Sequence, residues 1–217
     1  MSSFSARRTM MVDTQVRPSD VTKFPIIDAM LSIPREAFVP ADRRETAYIG
    51  EVLDFGNGGI ILDPRSFSKM LDALDIQPNE LVLDLGCGLG YSSAVISRLA
   101  EAVIAVEEDA AFATLAQSLL VENGSDNVAV LGGDLTVTGA KHGPFDVITI
   151  QGGVEQIPQT ILDQLKEGGR IAAIFMEGPL GVCRIGRKLN GDISWRYSFN
   201  ASAPVLVGFT HPPAFAL

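Results

Sequence analysis

The run Leu81-Val-Leu-Asp-Leu-Gly-Cys-Gly-Leu-Gly-Tyr91 holds the residues best suited to chemistry in this chain. An apolar stretch carries Asp84 at its end and breaks into three glycines at alternate positions, Gly86, Gly88 and Gly90. A helical pattern follows from Ser92 to Leu99. A strand, a glycine turn and a helix in that order offer bare backbone to a nucleotide-like ligand. The spacing is G-x-G-x-G, not the G-x-G-x-x-G of dinucleotide sites. Asp84 would set a negative charge against a pyrophosphate, whereas a cationic ligand would welcome it. S-adenosylmethionine carries an ammonium and a sulfonium, so it is the cofactor this turn predicts. Asp84, Gly86, Cys87 and Gly88 would line it, with Cys87 fitting the turn as a small residue rather than acting as a nucleophile.

Three further positions complete that expectation. Glu107 lies 23 positions after Asp84 at the end of a second apolar run. An acid about 20 residues past the glycine turn accepts the hydroxyls of a ribose. Glu108 should point the other way, because strand side chains alternate. Asp134, after a third run, is placed to accept from an adenine amino group, with Leu135 against the ring. Gln151-Gly152-Gly153 follows a fourth run and borders the same crevice, since open α/β sheets bind ligands at the carboxyl ends of their strands.

The elements that must position these groups follow an α/β rhythm from Leu81 onward. The pattern predicts strands at 81–85, 103–107, 128–132, 145–150 and 170–176, with helices at 90–100, 109–122 and 155–166. Two more strands are predicted at 181–189 and 204–210, the first ending in an Asn190-Gly191 turn. Residues 12–40 read as helix with breaks, and a short strand is expected near 51–55. Phe67, Met70, Leu71 and Leu74 share one face of a predicted helix over 64–74. The expected organisation is a helical extension with an acceptor loop over 1–78, a cofactor-binding core over 79–180, and closing strands over 181–217.

Composition narrows the class. The chain has 217 residues, a net charge of −9 and 47% hydrophobic residues, ordinary for a globular α/β protein. The acidic balance and scattered Lys and Arg argue against a grip on nucleic-acid phosphates. Two cysteines, Cys87 and Cys183, and two distant histidines, His142 and His211, do not suggest a metal site. No apolar run reaches the roughly 20 residues of a membrane span. The expectation is a cytoplasmic protein, a monomer or weak homo-oligomer, that meets neither nucleic acid nor membrane.

These motifs resemble those of class I S-adenosylmethionine-dependent methyltransferases, and the flanks narrow the likeness to the protein-L-isoaspartate O-methyltransferases. Ala29-Met-Leu-Ser-Ile-Pro-Arg-Glu-Ala-Phe-Val-Pro40 is similar to the family's A-x-x-x-V-P-R-E-x-F-V. Gly56-Asn-Gly-Gly-Ile-Ile-Leu-Asp-Pro64 aligns with G-x-G-Q-T-I-S-Q-P, and Pro144-Phe-Asp-Val-Ile-Thr-Ile-Gln-Gly-Gly-Val-Glu-Gln-Ile-Pro158 with P-F-D-x-I-x-V-T-A-A-x-x-x-I-P. Leu165-Lys-Glu-Gly-Gly-Arg170 matches L-x-x-G-G-x. The resemblance implies a Rossmann-like, mostly parallel seven-stranded sheet with helices on both faces and a helical N-terminal extension. It also implies methylation of a carboxylate on damaged protein or peptide, a protein-repair activity.

The departures fall on the acceptor side. The family's Thr and Ser stand here as Ile60 and Leu62, its Gln as Asp63, and its T-A-A as Gln151-Gly152-Gly153. Ile61, Leu62, Asp63 and Gly152 are therefore the candidate acceptor-binding residues. A carboxylate acceptor is already ionised and needs no general base, so alignment and exclusion of water suffice. A small-molecule acceptor with an O, S or N nucleophile is the first alternative, with Asp63 the candidate base. A non-catalytic module that binds the same cofactor is the second.

Overall fold

A computed structural model describes residues 3–211 of the chain. The extreme ends of the expected first and third regions lie outside the described residues. A seven-stranded sheet runs through the molecule in the order β5-β4-β3-β6-β7-β8-β9. Its strands are β3 (Leu81–Leu85), β4 (Ala102–Glu107), β5 (Val128–Gly132), β6 (Phe145–Val154), β7 (Leu165–Glu177), β8 (Leu180–Leu189) and β9 (Asp192–Asn200). The first five are mutually parallel, and β8 and β9 add antiparallel. Strand order reverses between β4-β3 and β3-β6, which places a topological switch point above β3.

Local chemistry explains the elements that frame this point. Helix α3 (Pro64–Leu74) starts where Asp63 accepts the Ser66 N–H at 2.9 Å and Pro64 supplies a pre-set φ. It ends at Asp75 in the left-handed region, and its buried face is Phe67, Met70, Leu71 and Leu74. The N-terminal region forms α1 (Phe4–Met11), a π turn and a 3-10 turn to Ser19, then α2 (Phe24–Ser32). Helices α4 (Tyr91–Ile96) and α5 (Ala110–Glu122) follow β3 and β4. Met11, Met30, Leu71, Val82, Val147 and Phe199 belong to one buried cluster, so the N-terminal helices share a core with the sheet. Leu83, Leu85, Ile148, Ile150 and Ile171 pack on the opposite face. Burial on both faces is why these strands read as continuous apolar runs.

Three sequence expectations are corrected. The second tail strand is β9 at 192–200, not 204–210. Its hairpin turns on Asn190 and Gly191, both at positive φ. Ile193, Trp195, Tyr197 and Phe199 alternate as a strand should, but a bulge opposite Cys183–Arg184 moves Phe199 to the other face and obscures the pattern. The 204–210 segment instead makes a single parallel bridge, Val205 to Gly153. β6 runs on to Val154 through its pairing with β7, Gly153 to Ile174 and Val154 to Phe175, and the bridge adds Gly153 N–H to Pro204 O (2.7 Å) and Leu206 N–H to Gly153 O (3.0 Å). The helix expected over 155–166 shrinks accordingly to α6 (Gln159–Leu162), bounded by Pro158 and the early start of β7.

Candidate active site

The glycine turn joins β3 to α4 with Gly86, Gly88 and Gly90 at φ of 74°, 56° and 96°. Side chains are disfavoured there on conformational grounds alone. Space is tight at 88 as well, since an added Cβ would lie 3.1 Å from the Ile60 carbonyl oxygen. The 59–62 segment, which includes strand β2 (Ile60–Ile61) paired with β1 (Leu53–Asp54), thus roofs the turn. A cavity of only about 10 Å³ remains between roof and turn, bordered by Ile60, Leu62, Phe67, Cys87, Tyr91 and Gln151.

Asp84 is the hub beneath the turn. It is fully buried, and four side chains donate to its two oxygens. Ser92 and Ser93 hydroxyls reach Oδ2 at 2.6 Å each; the Thr149 hydroxyl and Gln151 Nε2 reach Oδ1 at 2.7 Å each. Burial pushes its pKa above the ordinary value, against the pull of those four bonds. The register sets Asp84 beside Thr149, which brings Gln151 to the same face of β6.

Glu107 ends β4 and reaches across to the turn. Its Oε2 accepts the Gly88 N–H at 2.7 Å and its Oε1 the Asp109 N–H at 3.1 Å. Burial raises its pKa, opposed by these N–H groups. Glu108 is exposed, as strand alternation requires. Asp134 is exposed beyond β5, where it accepts from the backbone and hydroxyl of Thr136 at 2.7 Å. Those bonds hold its carboxyl below the ordinary value. Leu135 is buried beside the first glycine, near Leu206. Cys87 is buried, with its thiol raised well above normal by burial and by the charges of Asp84 and Glu107, which suits a packing role.

The segment expected to meet the acceptor is apolar. Ile60, Ile61 and Leu62 are all buried. Asp63 spends one oxygen on the cap of α3. Gly152 faces Leu206, whose Cγ would lie 2.5 Å from an added Cβ; at Gly153 the Ala203 carbonyl oxygen would lie 2.6 Å away.

The structure adds groups that the sequence reading passed over. Arg35 is completely buried and donates to Ala47 O (2.6 Å) and Leu62 O (2.9 Å), tying the acceptor loop to the N-terminal region. Its guanidinium carbon sits 4.8 Å from the Tyr91 ring centroid. Arg35 Nη1 and Tyr91 Oη are both buried without a hydrogen-bond partner. Arg35 was visible in the Pro34-Arg-Glu36 segment. Thr149 was visible as a hydroxyl inside an apolar strand, and Ser92-Ser93 as a polar pair opening α4. Leu206 carried no such signal, because only the folded tail brings it over the turn.

The arrangement fits the cofactor class. Two acids and a glycine turn converge at the carboxyl ends of adjacent parallel strands, and Gly88 shows no side chain to the crevice. Comparison with known proteins fixes the lineage. Residues 7–198 match the model of the family described as Protein-L-isoaspartate(D-aspartate) O-methyltransferase. The chain belongs to this family. A protein-L-isoaspartate O-methyltransferase of Syntrophus aciditrophicus is 38% identical over 171 residues, 79% of this chain and 78% of the relative. One of Koribacter versatilis is 36% identical over 193 residues, 89% and 87% of the two chains. Solved structures agree on the fold. A protein-L-isoaspartate O-methyltransferase superposes with a TM-score of 0.79 at 24% identity, covering 95% of this chain and 66% of that one. A Plasmodium falciparum structure titled as a methyltransferase of this kind in complex with S-adenosyl-L-homocysteine gives 0.78 at 18%, covering 95% and 99%. The chain is accordingly an S-adenosylmethionine-dependent methyltransferase with the class I sheet. Among the described residues no helix is long and apolar enough to cross a membrane, and no group of His, Cys, Asp and Glu is placed to hold a metal.

Proposed function

We propose that this enzyme methylates a carboxylate of damaged protein or peptide, of the isoaspartyl kind, at the carboxyl ends of the central strands, beside the glycine turn and the Ile60–Asp63 loop. The observation that carries the reading is membership of the family, and it is supported by Glu107 accepting the Gly88 N–H of the glycine turn at 2.7 Å, with Asp134 following the neighbouring strand β5. In this reading Glu107 accepts the ribose hydroxyls and Asp134 the adenine amino group, with Leu135 against the ring. Gly86, Cys87 and Gly88 present backbone. Asp84, its lone pairs already occupied, contributes its charge and fixes the turn through Ser92, Ser93, Thr149 and Gln151. Bound S-adenosylmethionine supplies an electrophilic methyl group on its sulfonium. Ile61, Leu62 and Gly152 line the acceptor side, exclude water and hold the acceptor in line. No proton need be moved, so the reading asks no base of Asp63, which caps α3. The proposed role is protein repair, and two buried free cysteines accord with a reducing cytoplasm.

The test is incubation with an isoaspartyl peptide and methyl-labelled cofactor. Base-labile release of labelled methanol is expected; its absence at high enzyme concentration overturns the acceptor assignment. A second reading rests on the apolar replacements Ile60 and Leu62, which suit a small-molecule acceptor. That reading requires turnover of such a molecule and none of the peptide.

A further inference from the structure

We propose that a groove at the opposite end of the sheet from the chemistry binds a small phosphate ester. It lies between the end of α3 and strands β8–β9, and encloses about 620 Å³. That volume lies within the range of small-molecule sites. Arg187 and Arg196 line it, and among the described residues neither side chain makes an ion pair or hydrogen bond. Arg170 lines it too, but both oxygens of Glu80 hold it (2.6 and 2.8 Å), as do the Leu74 and Asp75 carbonyls.

The register brings the arginines of the groove together on one face. Arg170 sits directly opposite Arg187, and like charges in that position are unfavourable. Arg187 faces Ser194, and Ile185 faces Arg196, so the two free arginines are diagonal neighbours. Such diagonals are about 7–8 Å apart, and guanidinium side chains converge on one anion across that span. Two arginines without an ion-pair partner are thus gathered in one concave place on a chain of net charge −9, beside Asp75, whose carboxylate is taken by Lys23 at 2.7 Å. Guanidinium forks match phosphate oxygens bidentately. Leu74 and Ile185, buried at the floor, offer apolar contact to the body of an ester. The site is remote from the glycine turn: Arg170 pairs with Val147 near the start of β6, whereas Gln151 and Gly152 lie toward its end. Nothing here depends on the methyl-transfer reading.

Calorimetry on the full chain at low salt tests it, with phenyl phosphate and inorganic phosphate as probes and S-adenosylhomocysteine present at saturation. We expect one site, tighter for phenyl phosphate than for inorganic phosphate. Arg187→Gln combined with Arg196→Gln should weaken it by about tenfold or more, because the charge-assisted bonds are lost. Arg187→Gln alone should give a smaller loss, and urea unfolding should show both variants folded. The proposal is overturned if neither probe binds at about 10 mM, far weaker than a built site allows. It is equally overturned if the double variant binds as well as the parent, or if S-adenosylhomocysteine abolishes the binding.

Discussion

Gly152→Ala tests whether the tail is fitted to the glycine turn. The backbone at 152 is not at positive φ, so alanine carries no conformational penalty there. On entropy alone the change would stabilise by about 0.4–1 kcal/mol. The added Cβ, however, would lie 2.5, 2.7 and 3.0 Å from Leu206 Cγ, Cδ2 and Cδ1. Comfortable carbon contacts are about 3.5–4.0 Å. Leu206 has little freedom to retreat, because its N–H is held by Gly153 O and the Gly153 N–H by Pro204 O. Overpacking of this kind costs about 1–3 kcal/mol. Net destabilisation of about 1–2 kcal/mol is therefore expected. Leu206→Ala, a truncation of a buried leucine, should cost about 2–5 kcal/mol by itself. In that background Gly152→Ala should be neutral or slightly stabilising, since the obstructing atoms are gone. The coupling energy should then be about 1–3 kcal/mol in favour of the double variant. Urea unfolding of the four proteins, with equal slopes, measures it. Affinity for S-adenosylhomocysteine in the same set should follow the pattern, because Leu206 also touches Gly86. Additivity within about 0.5 kcal/mol would refute the packing argument.

Glu107→Gln should weaken cofactor binding and flatten its pH dependence. The carboxylate accepts ribose hydroxyls best when ionised, so parent affinity should rise with pH through the elevated pKa of Glu107. Stability runs the other way, because a folded pKa raised above the unfolded one gives a contribution that is full below the ordinary carboxylate value and lost as pH rises through the folded pKa. A parent affinity profile that stays flat as pH rises from the ordinary carboxylate value to neutrality would contradict the assignment. Asp63→Asn should hold stability within a few tenths of a kcal/mol, since Asn caps helices as well as Asp does. Peptide methylation should also be unchanged, and a drop of about tenfold or more would make Asp63 a chemical participant. Arg35→Met should leave the Ala47 and Leu62 carbonyls unpaired at about 1–3 kcal/mol each. Limited proteolysis should then cut the 56–62 loop faster than in the parent, and equal rates would remove Arg35 from its role as the tie on that loop.

What the sequence determined by itself is the part of the molecule governed by local rules. Nearly continuous apolar runs gave β3, β4 and β5 within a residue of their true limits. Asp63-Pro64 before a face of Phe67, Met70, Leu71 and Leu74 fixed α3, since a cap, a pre-set φ and a single apolar stripe suffice to start and orient a helix. The glycines and Glu107 were legible because a tight turn and a strand end each demand particular residue types nearby in the chain. Tertiary structure decided whatever depends on partners far apart in sequence. Thr149 and Gln151 become donors to Asp84 only through the pairing of β3 with β6. Arg35 meets Leu62 across 27 positions. The segment 203–206 bonds to Gly153 of β6 and closes over Gly86 and Gly152, because backbone groups left unpaired on the open side of a strand must be satisfied by whatever the fold brings there. No window of neighbouring letters carries that information.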